Sequence, residues 1–426
     1  MDHLPCEWNF SIASDVKPCR GGPFPCRGSG PRFICTTQPL GEQIPTGMNV
    51  RFIDTEEGLA EARSLIGGFT RIALDCEAAG FHRYDDRLSL VQLTAGPFTF
   101  LLDPLALDLA ETLEPLLQDP AVQVFMHGAD YDVRLLDRDL GIQLGGLFDT
   151  QIAAALLGRN ALGLSSLLEE YFDVRLSKKF QRADWAKRPL PQGMQDYAAM
   201  DTLHLERLAD QLREELRGKG RLHWAEEEFL ELEKVRFDPP SDDEDPVLRV
   251  KQARDLEPRQ VARLREALAW RDEIARERDK ALFRVVGDPV LVSVVQRDFS
   301  TVGDLADLQG MNGGLAHAEG QELLERISRI DQLPDAEIEG YPSFPRGSGR
   351  GRPPPEIEEV FQRIKGARNR RAEELGIDRG TLLPNALLQL IAEESPADPD
   401  ALSTLPGVRA WQVEAVGDAV LDSLRK

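Results

Sequence analysis

The chain has 426 residues and a mass of 47.5 kDa, enough for about two to four domains of ordinary size. With 42% hydrophobic and 29% charged residues, collagen-like, mucin-like and wholly disordered classes are excluded. No apolar run reaches the roughly eighteen residues of a membrane span, and the N-terminus has no basic start leading into an apolar core, so the expectation is a soluble, cytoplasmic protein. A balance of 51 basic against 73 acidic residues leaves a net charge of −22. Such a surface repels polyanions at long range, so a nucleic-acid partner would need a local basic patch.

Residues 1–47 contain seven prolines and six glycines with no helical or alternating apolar period, and they read as a disordered arm. Met48, where a domain-like pattern begins, is a candidate natural start. Cys6, Cys19, Cys26 and Cys35 fall in the arm at spacings unlike the close pairs of metal sites. Together with Cys76 they read as reduced thiols.

A first domain is expected over 48–237. Short β-type runs occupy Arg71–Asp75, Leu88–Thr94 and Phe98–Leu102, the last two joined by Ala95-Gly96-Pro97 as a hairpin. A helix near Leu107–Leu117, a strand at Val122–Met126 and a helix from about Ala129 follow. Neighbouring strands and then alternation predict an α/β unit, a mixed sheet with helices packed on it. From Thr150 onward, apolar residues at three- and four-residue spacing predict helices over Gln151–Leu157, Leu164–Tyr171 and Gln195–Leu216, with Asp149 as the N-cap of the first.

An acidic linker spans 238–247, and a linker rich in Pro, Gly and Arg spans 333–355. They delimit two helical segments of similar size, 248–332 and 356–426. Comparable phrases close both segments, DLADLQGMNGG with GQELLERI and ALSTLPGVRA with VGDAVLDSL, as in a duplicated all-α domain.

Four separated acids carry the candidate chemistry. Asp75 and Glu77, in LDCEAAG at a strand end, point to one face, and two carboxylates on one face repel unless a cation lies between them. Asp132, in HGADYDVRLL, shares the inward face of its helix with Leu135 and Leu136, whereas its neighbour Asp130 suits a helix start. In QDYAAMDTLHLERL, Tyr197 and Asp201 lie one helical turn apart.

Together these segments resemble the DEDD superfamily of 3′–5′ exonucleases, in the subgroup with tyrosine in its third motif. The phrases LSLVQLT, LFDTQIAAALLG, LGLSSLLEEYF and KKFQRADWAKRPLP are similar to the ribonuclease D branch, and the two C-terminal segments to its HRDC domains. The resemblance covers about 50–426. It implies an RNase H-like catalytic fold with Asp75, Glu77, Asp132, Tyr197 and Asp201 as catalytic residues. The four acids would hold two Mg²⁺ or Mn²⁺ ions, and RNA, most plausibly tRNA precursors, would be shortened from the 3′ end to nucleoside 5′-monophosphates. Two positions depart from the family pattern: Cys76 stands for the usual threonine and Ala78 for a larger residue. A DNA exonuclease with the same site and a non-catalytic RNA-binding protein are the competing readings.

The stretch Arg175–Arg188 supplies the local basic patch, with six basic residues against Asp184 alone and with Phe180 and Trp185 among them. Lys178, Lys179, Arg182, Trp185 and Arg188, with His127, are the candidate substrate-binding residues. Gln92 is expected as a buried hydrogen-bonding residue. Lys251–Arg284 has ten basic and seven acidic residues, and Arg346, Arg350 and Arg352 lie in the second linker. Both could add RNA contacts.

Overall fold

The computed structural model describes residues 49–239, 241, 244–342 and 354–425. The arm with its four cysteines, Met48, and Arg346, Arg350 and Arg352 lie outside the described residues.

Six strands form one mixed sheet: β1 (Asn49–Ile53), β2 (Arg71–Ala78), β3 (Leu88–Ala95), β4 (Phe98–Leu102), β5 (Gln123–Met126) and β6 (Leu147–Asp149), in the order β1-β4-β3-β2-β5-β6. The β2–β3–β4 pairs are antiparallel, and β1, β5 and β6 join in parallel. β3 is central and buried at every position. The expected runs at 71–75, 88–94, 98–102 and 122–126 are all strands. β1 and β6 were not anticipated. β6 has three residues, too few for a period to show, and it exists by pairing with β5.

Alternation along β2 sorts its side chains. Ile72, Leu74 and Cys76 enter one core with α1 (Glu56–Ile66), α2 (Ala110–Leu117) and α3 (Asp130–Leu140). Ala73 enters the opposite core with α4 (Thr150–Leu157) and helices further along, which places Asp75 and Glu77 on that second face. After α5 (Leu164–Phe172), the single helix expected over 195–216 is two, α6 (Gln192–Leu203) and α7 (Leu205–Gly218), broken at His204. Tertiary packing explains the break. The Thr202 hydroxyl of α6 lies 2.7 Å from that of Thr94 on β3, whereas Leu208 and Leu212 of α7 pack into the core shared with α4.

α8 (Leu222–Glu233) leads into two helical domains. The first contains α9 (Pro258–Glu277), α10 (Leu282–Val285), α11 (Asp288–Val295), α12 (Val302–Ala306) and α13 (Gly313–Asp331). The second repeats the series as α14 (Pro355–Leu375), α15 (Arg379–Leu382), α16 (Asn385–Glu394), α17 (Pro399–Ser403) and α18 (Ala410–Leu424). A buried arginine occupies the same turn of each long helix. Arg271 donates to Val286 O and Asp288 Oδ1 at 3.1 and 2.5 Å, and Arg368 donates to the carbonyls of Arg379 and Leu383. Each fixes the two short helices after it, so the duplication extends to how the cores are pinned. The second domain fuses with the α/β core, Trp411 stacking on Trp224 at 5.0 Å.

Candidate active site

Strand β2 runs past Asp75 to Ala78, with a register shift against β3 between Glu77 and Ala78. A bulge of this kind bends a strand and re-aims its side chains. Asp201 projects from α6 onto the same face. One carboxylate oxygen each from Asp75, Glu77 and Asp201 lie within 4.8 Å of one another. Asp132 stands outside that triplet but lines the same cleft, a cavity of about 330 Å³ bounded also by His127, Gln181 and Tyr197. It is buried in the first turn of α3, while Asp130 is exposed and pairs with Arg134 at 3.2 Å.

Asp149 ties the two parallel strand ends together. Its carboxylate caps α4, accepting from Gln151 N and Ile152 N at 2.7 and 3.1 Å. It also accepts from Gly128 N and Ala129 N at 3.1 and 2.7 Å. Gly128, at φ +69, makes the turn from β5 into α3, so this buried cap sets where Asp132 begins its helix.

The electrostatics are those of an uncompensated anionic cluster. Asp75 is held well above the ordinary carboxylate range by burial and then by the charge of Asp201. Glu77 and Asp132 are raised by burial and then by Asp75. Burial pushes Asp201 up to about 7. Among the described residues, no lysine or arginine lines the cleft. Four hard oxygen donors converging without a basic partner fit divalent cations such as Mg²⁺ or Mn²⁺.

Tyr197 is half-buried, its ring 5.9 Å from Phe180 and 6.0 Å from Trp185. Burial, then Asp201, raises its phenol, which stays protonated at neutral pH. His127 lines the cleft and is hydrogen-bonded both to the backbone, at Leu162, and to a side chain. His127 Nδ1 lies 2.9 Å from Thr150 Oγ1, which donates to Met126 O, also at 2.9 Å. Burial lowers the pKa of its ring.

Two expected substrate contacts are corrected. Trp185 is 2% exposed, packed with Leu90, Leu101 and Met194 behind Tyr197, and offers no open face for a base. Arg188 is consumed by the fold: it clamps buried Asp103 at 2.5 and 2.7 Å and donates to Ser89 O and Trp185 O, both at 2.6 Å. The candidate basic residues left available are Lys178, Lys179 and Arg182, which, like Lys187 of the same stretch, are exposed and make no ion pair among the described residues. Lys179 lines a recess of about 160 Å³ beside Tyr197 and Asp201. Gln92 also departs from expectation. It is fully buried opposite Asp75 in the β2–β3 register, yet neither side-chain amide atom has a partner.

The sequence reading missed Gln181 and Tyr131, which line the cleft as well. Tyr131 is 47% exposed and donates to Asp86. Its position between two acids was the signal available; Gln181, in an irregular loop, had none.

Comparison with known proteins gives the family. The 3′–5′ exonuclease domain family matches residues 50–217, and the HRDC domain matches 260–327 and 357–424. Ribonuclease D of Pseudomonas paraeruginosa is 31% identical over 355 residues, 83% of this chain and 92% of that protein. The chain belongs to the ribonuclease D family. Escherichia coli ribonuclease D is 34% identical over 289 residues, 68% of this chain and 76% of the relative. The crystal structure of E. coli RNase D, described as an exoribonuclease involved in structured RNA processing, superposes with a TM-score of 0.63 at 28% identity, covering 89% of this chain and 99% of that one. A protein from Bifidobacterium adolescentis gives 0.74 at 26% identity, covering 89% and 97%. As a ribonuclease D-type hydrolase, the chain is a 3′–5′ exoribonuclease with an RNase H-like mixed sheet and two HRDC domains. No helix among the described residues is long and apolar enough to cross a membrane.

Proposed function

We propose that this protein trims the 3′ ends of structured RNAs, tRNA precursors among them, in the cytoplasm, releasing nucleoside 5′-monophosphates with the help of two divalent cations. The observation that carries this reading is the convergence of Asp75, Glu77 and Asp201 within 4.8 Å in a cleft shared with Asp132 and Tyr197. In the reaction, water attacks the terminal phosphorus, the bond from phosphorus to the 3′-oxygen breaks, and the departing oxygen takes up a proton. Bound Mg²⁺ or Mn²⁺ would lower the pKa of water and offset the charge that builds on the leaving oxygen. Asp75, Glu77 and Asp201 together, with Asp132 from the same cleft, would hold the ions. Tyr197, kept protonated by its surroundings, orients the attacking water by accepting its hydrogen bond. Lys179, beside Tyr197 and Asp201, would meet the phosphate of the scissile bond.

The test is a time course on 5′-labelled RNA and matched DNA, with Mg²⁺, Mn²⁺ or chelator. One-nucleotide shortening of RNA that needs the cation and is abolished by Asp75→Asn is expected. Endonucleolytic fragments, preference for DNA, or unchanged turnover in the variant would each defeat the reading.

A further inference from the structure

A groove of about 590 Å³ opens beside Glu77 and runs between the exonuclease domain and the first HRDC domain. It is continuous with the acidic cleft, sharing Cys76, Glu77, Tyr131 and Gln181. Its volume lies in the ~300–1,000 Å³ range of ligand pockets, enough for about one or two nucleotides.

The lining of the groove is unusual for this molecule. Among the described residues the exposed large hydrophobics are Phe81, Tyr131, Leu230, Leu282 and Phe283, and all but Leu230 line this groove. Apolar surface gathered in one place marks a site of interaction. Phe81, 39% exposed, comes from the loop after β2, and Phe283, 53% exposed, from α10 of the first HRDC domain. Their rings stand 5.4 Å apart at 56°. The guanidinium of Arg284 lies 4.9 Å from the Phe81 ring centroid, and that of Arg182 5.8 Å. Neither arginine has a carboxylate partner among the described residues, in a chain of net charge −22. Backbone bonds fix the two domains against each other here: Ala281 N donates to His82 O at 3.2 Å, and Arg284 Nε donates to Phe81 O at 2.6 Å. The two rings, in contact with each other, are therefore held in place before any ligand arrives.

We propose that this groove binds the single-stranded nucleotides upstream of the two that flank the scissile bond, their bases stacking on Phe81 and Phe283 and their phosphates meeting Arg182 and Arg284 beside it. Aromatic faces beside guanidiniums without a carboxylate partner are the chemistry of sequence-tolerant single-strand binding. Continuity with the acids makes RNA, not a peptide, the occupant. The inference rests on the exonuclease reading and extends it: the first HRDC domain becomes one wall of the substrate path, and an unpaired 3′ tail becomes a requirement.

The full-length protein, Phe283→Ala and Phe283→Trp are compared on a 5′-labelled octanucleotide and on a dinucleotide, which cannot reach the groove. The expected result is a loss of about tenfold in kcat/KM for Phe283→Ala on the octanucleotide, less than twofold on the dinucleotide, and recovery in Phe283→Trp. In chelator, the octanucleotide should quench the added tryptophan of Phe283→Trp relative to wild type, and an oligomer abasic at its four 3′-terminal positions should not. Equal losses on both substrates, no loss on the octanucleotide, or an unquenched tryptophan would overturn the groove assignment. If the wild type cleaves neither RNA, the exonuclease reading fails, while the quenching result still decides the groove.

Discussion

Replacing Asp201 by Asn should make the metal-free protein more stable at neutral pH while destroying its response to divalent cations. Burial raises the Asp201 carboxyl from 3.8 to about 7. Folding therefore favours its protonated form, and its contribution to stability is full below about pH 3.8 and is lost as pH rises to about 7. A rise of about three pH units corresponds to roughly 4 kcal/mol at ~1.36 kcal/mol per unit. The cleft is open to water, which screens the charge, and about half of that, ~2 kcal/mol, is the working figure. For a domain of this size ~2 kcal/mol moves the melting temperature by about 4–8 °C. Thermal unfolding of wild type and Asp201→Asn would be followed in chelator from pH 4 to pH 9, then repeated in Mg²⁺ or Mn²⁺. The two proteins should converge near pH 4 and separate above pH 7 with the variant more stable. At a hundred times its dissociation constant a cation should add about 2.7 kcal/mol to wild type and little to the variant. A variant less stable than wild type in chelator at pH 8, or a wild type indifferent to cations, would refute the account of the site as an uncompensated anionic cluster.

Tyr197→Phe keeps the ring packed between Phe180 and Trp185 and deletes only the hydroxyl. Its cation-induced rise in melting temperature should be retained while turnover falls about a hundredfold or more; retained turnover would remove the phenol from the reaction. Arg188→Ala leaves the buried Asp103 carboxylate without its charged partner, with an expected cost of about 3–5 kcal/mol by denaturant unfolding and an unaltered salt dependence of RNA binding. If Arg188 instead served phosphate, stability would hardly change and the salt slope would fall by about one.

Much of the site was legible in the sequence because its chemistry is written in residue type and short-range period. Asp75 and Glu77 two apart on a strand, Tyr197 and Asp201 one turn apart on a helix, and Asp132 beside Leu135 and Leu136 each have a facing that local geometry decides. So does the Asp149 cap. The duplicated helical domains showed as repeated phrases. What tertiary structure alone decided was contact over distance. Trp185 and Arg188 sit in a basic, aromatic stretch that reads as a substrate surface, yet one is drawn under Tyr197 and the other onto Asp103, 85 residues away in the chain. The break at His204 arises because α6 and α7 must satisfy different surfaces. Phe81 and Phe283 meet across a domain boundary, their rings tilted against each other, and no local period relates residues so far apart. A sequence records which side chains are present and which way each leans along its own element; only packing decides which of them share a cavity, and which charges are already spent.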